Sequence, residues 1–479
     1  MRASAKRKVP HMIKHSKRLA ALAAAALMAG CSFIPTYERP AAPVATQFPD
    51  AGATPTAGTQ AVADLPWQSF ISDARLRSLV ELALANNRDL RVAVLNIEQA
   101  RAQYRIQRAD RYPSVGAGIS GSRTPQTDGG NLTVYQSGLT VSSWEIDFFG
   151  RIASLSEVAL AQYLATEEGR KATQISLVAS VANAYLSLLA DDELLELTRQ
   201  TLATREESIK LSKLRLDSGV ASELDFRQAQ SLLEAARATL AQVQRQRALD
   251  VNLLTLLVGQ PNWAQQIDAA PATAKLDGAV MMTDLPAGLP SDVLVARPDI
   301  RQAEQLLVAS NANIGAARAA FFPRISLTAG FGSASTQLSG LFESGSFGWT
   351  VAPQLLLPIF DAGRNQAGLA SAKVGRDIAV AQYERAIQTA FREVSDALAG
   401  RATLGEQLRA QQAQVEAETA RFKLSDLRYR NGVASYLDLL DAQRSLFTTQ
   451  QSVVQTRLAQ LQNQVTLYKT LGGGWTATP

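Results

Sequence analysis

Leu427-Arg428-Tyr429-Arg430-Asn431-Gly432-Val433-Ala434-Ser435-Tyr436-Leu437-Asp438-Leu439-Leu440-Asp441-Ala442-Gln443 reads as one helix ending and another beginning. A glycine just past a helix can take the left-handed conformation that closes the last turn, and Gly432 stands there behind Asn431. Three residues on, Ser435 can cap a new helix, with Asp438 at the third helical position. That is a capping-box pattern with Asp in place of the usual Glu. The same code occurs earlier, from Leu214-Arg215 through Gly219-Val220-Ala221-Ser222 to Asp225 and Ala229-Gln230. The chain therefore carries two helical hairpins, with tips at 218–222 and 431–435.

The echo extends outward from the tips, because the chain is written twice. Asp89-Leu90-Arg91 returns as Asp299-Ile300-Arg301 and Tyr112-Pro113 as Phe322-Pro323, both at an offset of 210. Gly150-Arg151 returns as Gly363-Arg364, and Gly259 as Gly472, at an offset of 213. The change of offset places an insertion between Pro113 and Gly150. No proline occurs between Pro125 and Pro261, or between Pro358 and Pro479. A proline inside a helix costs about 3 kcal/mol, so both stretches suit long helices. Ile175, Val178, Val181, Tyr185 and Leu188 step by three or four, as do Ile387, Phe391, Val394 and Leu398, which is helical spacing. Arg151 to Asp217 would span about 100 Å at 1.5 Å per residue. The return helix, Ser222 to Val258, is shorter and needs a second helix stacked end-on. Leu76 to Ala109 fits that role in the first half, and Pro298 to Ala320 in the second.

Two stretches differ in texture, about 113–147 and about 323–358, rich in Gly, Ser, Thr and aromatics. Ile325-Ser326-Leu327-Thr328-Ala329-Gly330-Phe331-Gly332 alternates apolar with small or polar residues, the mark of a strand with two distinct faces. Each stretch fits two strands of about ten residues, a membrane-spanning length, joined by a loop at Thr124–Gly130 or Ser335–Gly345. The expected organisation is a signal peptide (1–30) and an extended segment (31–66). A first repeat (67–260), a connector (261–297), a second repeat (298–472) and a tail (473–479) follow.

The formal charge of +5 belongs to the leader. Arg2, Lys6, Arg7, Lys8, Lys14, Lys17 and Arg18 precede position 30 with no acidic residue among them, and without them the chain is slightly negative. That balance offers no case for nucleic-acid binding. The basic stretch, the short apolar run Leu19–Met28 and the small residues Ala29-Gly30 have the order of a secretory signal, starting at Met1 or Met12. Cys31 is the only cysteine, so no disulfide can form within the chain; a free thiol and a lipid attachment site remain. Met28-Ala29-Gly30-Cys31 resembles a bacterial lipobox with Met in place of Leu, and Ser32 after it points to the outer membrane. Both histidines, His11 and His15, lie in the leader. The rest of the chain lacks the commonest general base and metal ligand, which disfavours an enzyme while leaving carboxylate chemistry open. No phosphate-binding loop is present, and neither a cofactor nor a metal is implied.

Four strands cannot close a barrel, since small membrane barrels start near eight, and open strand edges in lipid leave backbone groups unsatisfied. If these strands enter a membrane, several copies must join. Over nearly all the chain beyond the leader, and most specifically in the two tip motifs, the sequence resembles the outer membrane factor family. These are TolC-like proteins, and the likeness is to the OprM-like lipoprotein branch serving RND multidrug pumps. The resemblance implies a mainly α fold with a transmembrane β portion. Three protomers would share a twelve-stranded barrel continuous with a helical tunnel anchored in the outer membrane through Cys31. It implies as partners a periplasmic adaptor and an inner-membrane RND-type transporter.

It also implies a constricted periplasmic entrance at Leu437, Asp438 and Asp441. Threefold rings of carboxylates favour cations in a pore, yet Asp in a first helical turn is also ordinary capping chemistry. Asp438 has a counterpart in Asp225, whereas Asp441 matches Gln228. Tyr429 and Asp225 match a pair that links neighbouring tips and holds the entrance shut; the family's basic partner is missing, with Ala434 in its place. The tips, with Arg215, Gly219, Ser222, Arg428, Gly432 and Ser435, are expected to dock the adaptor, although the glycines equally cap helices. An efflux duct for small toxic molecules is the leading expectation. A duct for protein or polysaccharide export and a non-conducting envelope-spanning scaffold are the alternatives.

Overall fold

The computed structural model describes residues 32–49, 62, 65–127, 129–267, 276 and 297–475. The signal peptide, Cys31 and most of the 261–297 connector lie outside the described residues. The elements run α1 (Ala74–Asn86), α2 (Arg88–Ala109), β1 (Val115–Pro125), β2 (Asn131–Ile146), α3 (Arg151–Asp217), α4 (Glu223–Val258), α5 (Pro298–Ala319), β3 (Arg324–Ser335), β4 (Phe347–Leu356), α6 (Arg364–Arg430) and α7 (Tyr436–Thr470). Two compact units emerge, and each draws on both repeats. One joins residues 1–41, 97–166 and 303–383; the other joins 42–96, 167–302 and 384–479.

The first unit holds an antiparallel sheet in the order β1-β2-β3-β4. Its register sets apolar residues in rows across the strands. Val115, Val141, Ala329 and Val351 form one row, and Ala117, Leu139, Phe331 and Trp349 the next. The opposite face is small and polar apart from Leu132, Val134 and Leu356 towards its ends. There Gly118, Gly138, Gly332 and Gly348 form an unbroken row, one glycine per strand. A Cβ at Gly138 or Gly332 would collide with the backbone of the facing strand. Phe347, Trp349, Val351 and Leu355, at alternate positions of β4, are each more than half exposed. One apolar face and one polar face on strands of this length is the pattern of a barrel wall in lipid. β2 runs to 16 residues, longer than the ten expected. A bulge between Val141 and Trp144, with Ser143 at φ 47°, lets pairing to β3 resume as far as Ile146.

In the same unit, residues 33–39 lie antiparallel along α5 and are held at every second turn. Arg318 donates to Phe33 O (3.1 Å) and Asn311 to Pro35 O (2.8 Å). Glu304 accepts from Tyr37 (3.1 Å) and from two nitrogens of Arg39 (2.7 and 2.9 Å). Phe33 stacks on Phe322, ring centres 4.6 Å apart, at the start of β3.

The second unit carries the hairpin tips. Of the positions read as helical spacing, Ile175, Val178, Val181, Tyr185 and Leu188 are all buried, as are Ile387, Val394 and Leu398. Phe391 is half-buried and stacks on Phe48. The stretch Leu76–Ala109 is two helices, not one. Asn87 has an extended backbone (ψ 131°), and its Oδ1 caps α2 by accepting from Leu90 N (2.9 Å). Its Nδ2 donates 2.9 Å to Leu257 O, one of the last carbonyls of α4, which an unaided helix end leaves unsatisfied. The break is therefore the end-on joint of the first repeat. The second repeat builds the same joint with other chemistry. Arg297, at the position of Asn87, donates 2.9 Å to Thr470 O and pairs with Asp299 (2.6 Å) and Glu393 (2.9 Å).

Candidate functional site at the hairpin tips

Both tips follow the local code. Gly219 and Gly432 each adopt φ 73°, a region open to glycine at no steric cost. Backbone bonds then close each helix end: Val220 N to Arg215 O (2.9 Å) and Gly219 N to Leu216 O (2.9 Å), repeated as Val433 N to Arg428 O (2.9 Å) and Gly432 N to Tyr429 O (3.0 Å). Ser222 accepts from Asp225 N, whose carboxylate accepts from Ser222 N (both 3.2 Å). Ser435 and Asp438 do the same at 3.3 Å. Asp225 and Asp438 thus spend their carboxylates on helix caps within the chain.

Side chains join the two tips. The Arg215 guanidinium carbon lies 4.5 Å from the centre of the Tyr429 ring, a cation–π contact. Tyr429 packs on Tyr436 at 5.3 Å. Both tyrosines are buried in a cluster with Ala229, Leu232, Leu439 and Leu440. Burial, with Tyr429 and the Asp225 carboxylate alongside, pushes the Tyr436 phenol up to about 12. Among the described residues no hydrogen bond joins Tyr429 to Asp225, the pair implied by the resemblance. Within one chain Tyr429 belongs to Arg215 and Tyr436.

Leu437 is 58% exposed, and Asp441 is exposed and ion-paired to Arg421, which also holds Glu418 at 3.2 Å. The reading of the sequence missed Arg421. It was findable, because residues 421 and 441 stand equally far from Asn431 and an antiparallel hairpin brings such positions level. The equivalent first-repeat positions, Ser208 and Gln228, are uncharged. Each tip also leaves three large apolar residues exposed at matching positions. These are Leu214, Val220 and Leu224 on the first, and Leu427, Val433 and Leu437 on the second. Clustered exposed apolar side chains mark an interaction surface.

A two-faced sheet with open edges, joined to duplicated helical hairpins with sticky tips, defines a class: membrane-embedded ducts with a long helical extension. The chain belongs to the outer membrane efflux protein family, whose sequence model matches residues 79–260 and 289–473. Outer membrane protein OprJ of Pseudomonas aeruginosa is 46% identical over 471 residues, 97% of each chain. The probable efflux pump outer membrane protein TtgC of Pseudomonas putida is 50% identical over 470 residues, 96% of each. Among solved structures, the open state of the Neisseria gonorrhoeae MtrE outer membrane channel matches with a TM-score of 0.82. It is 40% identical and covers 93% of this chain and 99% of that one. The Campylobacter jejuni CmeC outer membrane channel matches with a TM-score of 0.83 at 25% identity, covering 93% and 95%. The fold is TolC-like, and the protein is an outer-membrane exit duct for efflux with a long periplasmic helical part.

Proposed function

We propose that three copies of this chain share one twelve-stranded wall and one helical tunnel. The duct passively conducts drugs and other small toxic molecules delivered by an inner-membrane RND-type transporter through a periplasmic adaptor. The observation that carries this reading is the four-stranded sheet, apolar on one face, with β1 and β4 as open edges. In lipid each unsatisfied backbone group on an edge costs several kcal/mol, and neighbouring copies satisfy them. The exposed apolar residues Leu214, Val220 and Leu224 on the first tip and Leu427 and Val433 on the second supply the adaptor's docking surface. Cys31 carries the lipid. In support, Phe33, two residues further along the chain, stacks on Phe322 at the foot of β3.

At the periplasmic mouth Leu437, Asp438 and Asp441 form the constriction. Each Asp441 brings its Arg421 with it, so the ring there is one of ion pairs, with less net negative charge than bare carboxylates. Opening splays the second hairpin away from the first and breaks the contacts around Tyr429 and Asp225. In planar bilayers the purified protein gives discrete conductance steps, and Asp225→Ala with Tyr429→Phe enlarges them. A protein that gives no steps is not a duct, and steps unchanged in the double variant refute the lock.

A further inference from the structure

α5 carries a strap that α2 lacks. Along α5, Asn311 donates to Pro35 O and Arg318 to Phe33 O. Ile34 lies in a slot kept open by Gly315, where a Cβ would come within 2.6 Å of the Ile34 side chain. Phe33 covers Phe322. At the repeat offset of 210, the same four positions on and just after α2 are Arg101, Arg105, Arg108 and Tyr112. Within one chain nothing covers them. All three arginines are exposed, and Tyr112 is 68% exposed with no ring contact among the described residues.

A second strap could not lie there. Arg105 fills the slot that Gly315 leaves open, and Val94 stands where Glu304 holds Tyr37 and Arg39. Charge points instead to an anion. Arg105, Arg108 and Arg111 stand three residues apart, and none of their side chains makes a hydrogen bond or ion pair among the described residues. Asp110, the one acid between Gln99 and Tyr112, accepts from Gln107 (3.0 Å). β1 starts just beyond, at Val115, so the cluster lies at the end of a strand read as crossing the membrane. An exposed aromatic ring beside cations at that depth is an interfacial anchor.

From three unpaired arginines beside an exposed tyrosine at the foot of β1, we propose that this face of α2 binds the headgroup of an anionic phospholipid. The inference rests on the outer-membrane reading above. The guanidiniums take the phosphate in charge-assisted hydrogen bonds. The acyl chains run past Tyr112 along the apolar row that begins at Val115. Each repeat then has its own hold on the membrane, one by the lipidated strap on α5 and one by charge on α2.

The test uses the purified full-length protein in neutral detergent, with retained lipid counted by native mass spectrometry. Phosphatidylglycerol should be retained at up to one per chain, and phosphatidylcholine severalfold less. Each basic residue near an anionic headgroup is worth about fivefold. Arg105→Gln with Arg108→Gln should therefore cut retention of phosphatidylglycerol tenfold or more. Arg245→Gln with Arg409→Gln, the same loss of charge on the hairpins, should leave it unchanged. Excess inorganic phosphate should not displace the lipid. Equal retention of the two lipids, an Arg105/Arg108 variant that behaves as the unaltered protein, or displacement by phosphate overturns the proposal. The lipid and phosphate comparisons need no variant. Conductance in planar bilayers separates the two readings: steps that persist while lipid preference is absent overturn this inference alone, and unaltered protein without steps overturns the duct.

Discussion

The two repeats share one backbone plan and fill it with different chemistry. Equivalent glycines turn the tips, equivalent Ser–Asp boxes cap the return helices, and equivalent apolar trios are left bare. The joint behind each return helix is also equivalent in place, yet Asn87 makes it with a neutral amide and Arg297 with a buried ionic cluster. Midway along the hairpins the contrast reverses. The first repeat buries the carboxyls of Asp191 and Asp250 against each other, 7% and 9% exposed, where the second has Leu404 and Asn463. Near the tips the ionic pair Arg421–Asp441 belongs to the second repeat alone. Duplication preserved what local backbone geometry demands and released the side chains that decide how firmly each hairpin is held.

The joints should break this comparison most visibly. Arg297→Ala is expected to cost about 3 kcal/mol, the low end for breaking a buried pair, because its two carboxylates are partly exposed. Asn87→Ala loses a cap and a hydrogen bond, about 1 kcal/mol each. Thermal unfolding followed by helical circular dichroism should order the two, and equal losses would erase the distinction.

The buried acid pair comes next. Burial, with the Asp250 carboxyl against it, raises Asp191 to about 7, above the roughly 3.9 of an unfolded aspartate. The folded state then holds a proton that the unfolded state has released. The pair's contribution is full below about pH 4, declines by at most about 4 kcal/mol as pH rises to about 7, and is flat above. Asp250→Asn makes the first hairpin resemble the second and should flatten that slope. An unchanged pH profile would show that the pair does not titrate between these limits.

The caps should differ least. Ser222→Ala and Ser435→Ala are each expected to cost about 1 kcal/mol. Losses that differ by more than half of that would mean that one tip is supported from outside its own hairpin.

What could be read from the chain follows the same division. The tips, α3 and the strands were legible because caps, glycines and alternation act within a few residues. The break at Asn87 was missed although its cap reaches only to Leu90. The helical pattern runs through it, and what fixes the extended backbone there is Leu257, 170 residues away. The Arg421–Asp441 pair needed only the register of its hairpin. Arg205, buried against Leu232 of α4 and Phe447 of α7, was not legible, because nothing near it in sequence says that these helices will cover it. The pairing expected of Tyr429 and Asp225 is likewise a statement about neighbouring copies, which one chain cannot contain.

The glycine row across the sheet has a consequence for the shape of the bore. On the polar face, at the level of Gly118, Gly138, Gly332 and Gly348, the wall is only as thick as its main chain. Closed into a ring, that row becomes a hoop of bare peptide, with no side chain to grip a passing molecule or sieve it by charge. Side chains therefore exert no selectivity at this level, and a residue larger than glycine at Gly138 or Gly332 would buckle the wall before it narrowed the passage.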